Sequence, residues 1–153
     1  MTRAFVGLGS NLGDREATIR AGLERLADAP GVDLIRVSKL RETEPVGLLD
    51  QPPFLNGVAV VETALDPAGL LRLLLAVEAA LGRDRAAAPP QGPRTLDLDL
   101  LLYGDLQIDE KGLQIPHPRL HERAFVLEPL AEVAPGLEVP GRGTVEALLA
   151  GLH

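Results

Sequence analysis

Two strand-like runs, Val32 to Leu40 and Leu55 to Val61, follow one another with only a Pro/Gly-rich loop between them, and this adjacency restricts the fold more than any other feature. Parallel neighbours need a crossover, usually helical, so two strands in succession argue against a strictly alternating β/α sheet. Before them stand a strand-like run, Ala4 to Leu8, and a helical pattern of Ile19, Leu23, Leu26 and Ala27. After them come Leu70, Leu74, Val77 and Leu81 at helical spacing, then the alternating run Thr95 to Tyr103. The order β-α-β-β-α-β predicts an α+β, ferredoxin-like sandwich: an antiparallel sheet with helices packed on one face, and additions at the C-terminal end. Val32 to Leu40 alternates as a half-buried strand does, whereas Leu55 to Val61 is almost continuously apolar and valine-rich, as expected of a fully buried one.

Local punctuation supports these boundaries. Asp14 suits the N-cap of the first helix, after a turn running from Gly9 to Asp14, and Pro30-Gly31 stops it. Asp66-Pro67 places a capping carboxylate and an N1 proline before the second helix, which Gly82 closes. Residues 86–93, Ala-Ala-Ala-Pro-Pro-Gln-Gly-Pro, show no periodicity and two breaker clusters, the pattern of a surface loop suited to act as a lid. Asp109 to Gly112 turns a hairpin into Leu113 to Ile115, Leu120 to Val133 is helical in period but interrupted at Pro129, and Thr144 to Leu149 forms a short terminal helix. No linker or repeat divides the 153 residues, so residues 1–153 are expected to form one domain.

With no cysteine, thiolate nucleophiles, thiolate metal sites and disulfides are excluded, leaving carboxylates and three histidines for any metal, which should therefore be hard. The net charge of -7 disfavours nucleic acid and anionic lipid as partners; an anionic substrate needs a local basic pocket. No apolar run approaches the ~18 residues of a membrane span, and the N-terminus lacks the layout of a secretion signal. A soluble, cytoplasmic monomer is the expectation.

The sharpest chemical signal is Gly92-Pro93-Arg94-Thr95-Leu96-Asp97-Leu98-Asp99-Leu100-Leu101-Leu102-Tyr103-Gly104. On an extended chain Leu96, Leu98, Leu100 and Leu102 share one face and Asp97 and Asp99 the other, about 6.6 Å apart along the strand, near enough to share one or two cations. Alternating aspartates also suit a solvated strand face. Leu101 and Tyr103 on the aspartate side argue against that, and two buried carboxylates without a cation would repel at a large desolvation cost. Magnesium fits such an all-oxygen set. Arg83, Arg85 and Arg94 precede the acidic pair, and His117 and Arg123 follow it, a set able to grip phosphate oxygens while a metal bridges others. Phe54 and Phe125 are either core or the two faces of a stacking site, with Asn56 offering donor and acceptor to a heterocycle's edge. Gly7-Leu8-Gly9-Ser10-Asn11-Leu12-Gly13 matches neither the dinucleotide fingerprint nor a P-loop.

Four segments in order, Gly7 to Asp14, Gln51-Pro52-Pro53-Phe54-Leu55-Asn56, Gly92 to Asp99, and Ile115-Pro116-His117-Pro118 through Phe125-Val126-Leu127, resemble the 6-hydroxymethyl-7,8-dihydropterin pyrophosphokinases of folate biosynthesis over essentially the whole chain. The resemblance implies transfer of the terminal diphosphate of ATP to the pterin's hydroxymethyl oxygen with release of AMP. It implies two magnesium ions on Asp97 and Asp99, catalytic support from Arg83 and Arg94, and ATP held by Glu78, Arg83, Arg85, Arg94, Leu100, His117 and Arg123. It further implies a pterin sandwiched by Phe54 and Phe125, its edge bonded by Thr43, Asn56 and the backbone around Val46. Two positions depart from the family pattern: Gln91 where many relatives have tryptophan, and Leu75 where some have glutamine. Rival readings are a two-metal nucleic-acid enzyme, which the charge opposes, and a ligand-binding regulatory module that leaves ATP unconsumed.

Overall fold

The computed structural model describes residues 1–43, 52–81 and 95–152. The elements are β1 (Thr2–Ser10), α1 (Arg15–Asp28), β2 (Val32–Val37), β3 (Arg41–Thr43), β4 (Phe54–Thr63), α2 (Pro67–Ala80), β5 (Asp97–Tyr103), β6 (Ile108–Glu110), β7 (Leu113–Ile115), a 3-10 turn (Leu120–Glu122), α3 (Ala124–Val133), β8 (Glu138–Val139), β9 (Gly143–Thr144) and α4 (Val145–Ala150). The main sheet runs β2-β4-β1-β5 with β3 also on β4, every pairing antiparallel. This is the expected βαββαβ sandwich with C-terminal additions.

The period of two along β1 divides its side chains between two apolar layers. Ala4, Val6 and Leu8 pack with Ile19 and Leu26 of α1 and Leu70, Leu74 and Val77 of α2. Phe5, with Val58 and Val60 of β4, packs instead against Val126, Leu127, Leu130 and Val133 of α3 and Val145 of α4. The C-terminal additions therefore cover part of the second sheet face. Helix starts follow the sequence: Asp14 accepts the Ala17 N–H at 3.1 Å, and Asp66 that of Gly69 at 2.7 Å with Pro67 opening α2. Such a cap contributes ~1 kcal/mol.

Five details differ from the sequence expectation. β1 continues through Gly9 and Ser10, because both stay in register with β4, and the turn is confined to the residues before α1, where Gly13 has a φ of 65°. The run Val32 to Leu40 ends as a strand at Val37: Ser38 Oγ accepts the Val58 N–H at 2.9 Å and donates to Lys39 O, and the chain resumes as β3. β5 carries a bulge, since Val6 pairs with Leu100 but Phe5 with Leu102. The extra residue reverses the alternation, so Tyr103 packs on the α1/α2 side while Leu102 joins Leu101 on the other. Tyr103 donates its hydroxyl to Leu65 O at 2.6 Å. Pro129 sits inside α3 without breaking it, as its missing N–H removes only the bond to the Phe125 carbonyl, and the interruption falls at Arg123. The β8–β9 pair is an addition that the sequence pattern did not reveal. Gly82 and the candidate lid, residues 86–93, lie outside the described residues.

Candidate active site

The site is laid out by strand register. Gly9 of β1 pairs with Asn56 on one side and Asp97 on the other; two residues back, Gly7 pairs with Val58 and Asp99. Directly opposed residues share a face, so this face reads Asn56, Gly9, Asp97 in one row and Val58, Gly7, Asp99 in the next. It is the face that α3 partly covers through β4, and both aspartates on it are half-buried. The sequence argument placed Leu101 and Tyr103 beside them; only Leu101 is there.

Residues around the N-terminus of α3 complete the surroundings. His117 donates its backbone N–H to Leu101 O at 2.9 Å, and its Nδ1 accepts the Arg119 N–H at 3.2 Å. That bond leaves the ring proton on Nε2, a donor suited to a phosphate oxygen. Burial pushes the His117 pKa below its ordinary value, the Arg123 and Arg119 charges push the same way, and the Asp97 carboxylate opposes them. The Asp97 carboxylate is therefore close enough for its charge to act on His117. The Arg123 guanidinium carbon lies 5.4 Å from the Phe125 ring centroid, a cation–π contact. A cavity of about 380 Å³ runs from Thr43 past Arg119 and Arg123 to Phe125.

Phe54 and Asn56 enter from β4. Asn11 donates to Pro52 O at 3.0 Å and Arg15 to Pro53 O at 2.9 Å, fixing the chain just before Phe54. Asn56 donates through its amide nitrogen to Thr43 Oγ1, joining β4 to β3. Glu132 of α3 accepts the Lys39 N–H at 2.9 Å and pairs with Arg41 at 2.6 Å, tying the helix that carries Phe125 to the strand that carries Thr43. Burial alone would raise the Glu132 pKa, but these two donors outweigh it and hold the group below its usual value.

Glu78 is 2% exposed and comes from the opposite face. Leu100 is also buried on the α1/α2 side, so its backbone, not its side chain, is what the site can use. Arg83, Arg85, Arg94 and Val46 lie outside the described residues. Sequence reasoning missed Asn11, Arg15, Arg119 and Glu132 as supports. Arg119 carried a signal, the basic residue closing Pro116-His117-Pro118-Arg119, whereas the others depend on partners remote in sequence.

Two carboxylates on one face of a ferredoxin-like sheet, with a half-buried histidine and a cavity bordered by Phe125 and Arg123, fit a small α+β group-transfer enzyme. The family model described as 7,8-dihydro-6-hydroxymethylpterin-pyrophosphokinase (HPPK) matches residues 5–135. The 2-amino-4-hydroxy-6-hydroxymethyldihydropteridine pyrophosphokinase of Methylorubrum extorquens is 46% identical over 148 residues, covering 97% of this chain and 92% of the relative. The Pseudomonas aeruginosa protein of the same name is 46% identical over 149 residues, covering 97% and 91%. Among solved structures, wild-type Plasmodium falciparum HPPK-DHPS with SDX-DHP superimposes with a TM-score of 0.72 at 16% identity, covering 99% of this chain and 43% of that one, a likeness of fold. The chain belongs to the HPPK family, and it is an enzyme.

Proposed function

We propose that this chain transfers the terminal diphosphate of ATP to the hydroxymethyl oxygen of 6-hydroxymethyl-7,8-dihydropterin, giving the pterin diphosphate and AMP, as a step of folate biosynthesis. The observation that carries the reading is the register that sets Asp97 across β1 from Asn56, bringing a candidate metal ligand and a candidate ring-edge reader onto one face. Family membership supplies the reaction class.

The two carboxylates fit magnesium, since both are hard oxygen donors on one face of the sheet. Magnesium characteristically takes one or two carboxylates and completes its shell with water and substrate phosphates. In this reading Asp97 and Asp99 would hold two ions, whose charge would offset that of the transferred diphosphate. The protein's own work is placement. Phe54 and Phe125 stack the pterin; Asn56, Thr43 and the backbone at Val46 fix its edge. His117 Nε2–H, Arg123 and the arginines at 83, 85 and 94 hold the nucleotide's phosphates, near the backbone of Leu100. The alcohol oxygen bonds to the β-phosphorus as the bond from that phosphorus to the α,β-bridging oxygen breaks; the electron pair leaves with AMP, and the alcohol proton passes to Asp97 or to solvent. Holding two reactants in line can contribute roughly 7–11 kcal/mol.

Residues 1–153 are proposed to be one pyrophosphokinase domain, acting as a cytoplasmic monomer on small molecules, with neither nucleic acid nor membrane as partner. Among the described residues no helix is long and apolar enough to cross a membrane. The test is to supply ATP, magnesium and the hydroxymethyl dihydropterin and identify the nucleotide product. AMP in step with pterin diphosphate supports the reading; ADP, or no pterin-dependent turnover, refutes it.

A further inference from the structure

Phe125 and Glu132 are two turns apart on α3 and so share one side of the helix, about 10 Å from each other along its axis. Arg41 and Thr43 alternate to one face of β3, about 6.6 Å apart along the strand. At one end of these two tracks Glu132 pairs with Arg41. At the other, Thr43 and Phe125 both border the cavity of about 380 Å³, with Glu128 lining it from the helix stripe between Phe125 and Glu132. One ion pair thus spans the same two elements that border the cavity.

The two elements are not equally secure. α3 is seated by Val126, Leu127, Leu130 and Val133 in the apolar layer with Phe5, Val58 and Val60, and Arg36 of β2 donates to Val133 O at 3.4 Å. β3 has three residues and, among the described residues, pairs with β4 alone. So short a strand has little order of its own. Glu132 supplies it: Oε2 accepts the Lys39 N–H, Oε1 accepts from Arg41, and Arg41 also donates to Lys39 O at 3.4 Å. Lys39, Arg41 and Glu132 therefore form a closed circuit at the entrance to β3. Two residues beyond Arg41, Thr43 Oγ1 accepts the Asn56 amide. Opening the circuit frees β3 against a helix that stays in place, and Thr43 moves with the strand.

We propose that Glu132 is a positioning residue for the acceptor: acting through Lys39 and Arg41, it holds β3 at the distance from α3 at which Thr43 keeps the Asn56 amide directed at the ring edge. This rests on the pterin reading above and adds a residue that touches neither substrate, since each of its carboxylate oxygens is engaged by a protein donor. Asp97, Asp99 and His117 take no part in the circuit. Acceptor binding depends on Glu132, and nucleotide binding does not.

The test measures kcat, the KM for the hydroxymethyl dihydropterin at saturating ATP and magnesium, and the KM for ATP at saturating pterin. It compares the wild type with Glu132→Ala, Glu132→Gln, Arg41→Ala and the Glu132→Ala/Arg41→Ala double variant, each checked by its melting transition. Glu132→Ala is expected to raise the pterin KM roughly tenfold, the scale of one hydrogen bond lost at a ligand's edge, with kcat and the ATP KM unchanged. Glu132→Gln keeps one accepting oxygen and recovers part of the pterin KM. Because both residues act through one circuit, adding Arg41→Ala to Glu132→Ala should raise the pterin KM no further. Glu62→Gln breaks the Arg3–Glu62 pair at the far end of β1 and β4 and keeps the pterin KM. An unchanged pterin KM in a folded Glu132→Ala overturns the proposal. So do an equal rise in both KM values, a loss confined to kcat, multiplying effects in the double variant, or an equal rise in Glu62→Gln. Should Glu132→Ala fail to fold, Arg41→Ala decides: a raised pterin KM supports the proposal and an unchanged one overturns it. If the wild type shows no pterin-dependent AMP release, the functional reading itself fails, an outcome distinct from an active wild type and a Glu132 variant with the same pterin KM.

Discussion

Glu78 reaches from α2 to accept the backbone N–H of Leu98 at 2.7 Å, and Leu98 is the residue between Asp97 and Asp99. Among the described residues β5 pairs with β1 alone and is a sheet edge, so this carboxylate bonds an N–H that points away from the ladder. A buried acid on the helix side thereby sets the height of the strand whose other side presents the two candidate metal ligands. Leu75, one turn earlier and 39% exposed, takes no part in this contact.

Removing that acceptor should be felt twice. Glu78→Ala strands a buried N–H and is expected to lower stability by about 1–3 kcal/mol in urea unfolding. It should also reduce turnover at saturating substrates, because Asp97 and Asp99 lose their setting. Glu78→Gln keeps an oxygen at the same reach and should recover most of the stability.

Asp97→Ala and Asp99→Ala are each expected to reduce magnesium-dependent AMP release by at least ~10²-fold, since in the proposed mechanism each deletes a group facing charge that develops in the transition state. Steady-state assays over a magnesium titration make the check. Near-normal turnover in either variant would remove the metal role.

Phe125 is half-buried at the start of α3, with Val126, Leu127 and Leu130 providing the helix's core contacts. Phe125→Ala should therefore weaken pterin binding by calorimetry while leaving the melting transition largely in place. A variant with full pterin affinity and a much lower melting point would make the ring a packing residue.

His117 gives a pH dependence of definite sign. Its folded-state pKa is depressed, first by burial and then by Arg123 and Arg119. Below the ordinary value near 6.5 the unfolded chain takes up a proton that the folded chain refuses. Stability from this group is full above that pH and falls as acid carries the protein down to the folded pKa, where the loss ends. The wild-type urea midpoint should drop between pH 7.5 and 5.5, and His117→Asn should show a smaller drop over that range.

The layout of strands and helices was legible because its signals are local. Asp14, Asp66 and Pro67 mark helix starts by their own chemistry, and the alternation through Asp97 and Asp99 gives their shared face at once. What escaped depends on partners. Leu100-Leu101-Leu102 contains a bulge that no reading of three identical side chains can locate, and it transferred Tyr103 to the wrong layer. β3 is three residues, Arg41–Thr43, with no apolar pattern; pairing with β4 and the Glu132 contacts make it a strand. Gly9-Ser10 has turn-like composition but remains in the sheet because β4 continues beside both residues and β5 beside Gly9. On the site, Phe54, Asn56 and Phe125 were identifiable as candidates, whereas the row Asn56, Gly9, Asp97 exists only once register is known.

Phe125 rides on the same helix whose Val126, Leu127, Leu130 and Val133 seal Phe5, Val58 and Val60 from water. During synthesis the strands of the main sheet emerge before that helix, so the nascent sheet carries a greasy half-face and lacks Phe125 until α3 docks. Occupancy by pterin would then mark a finished molecule, and a chain truncated ahead of residue 124 should be both blind to pterin and prone to aggregate.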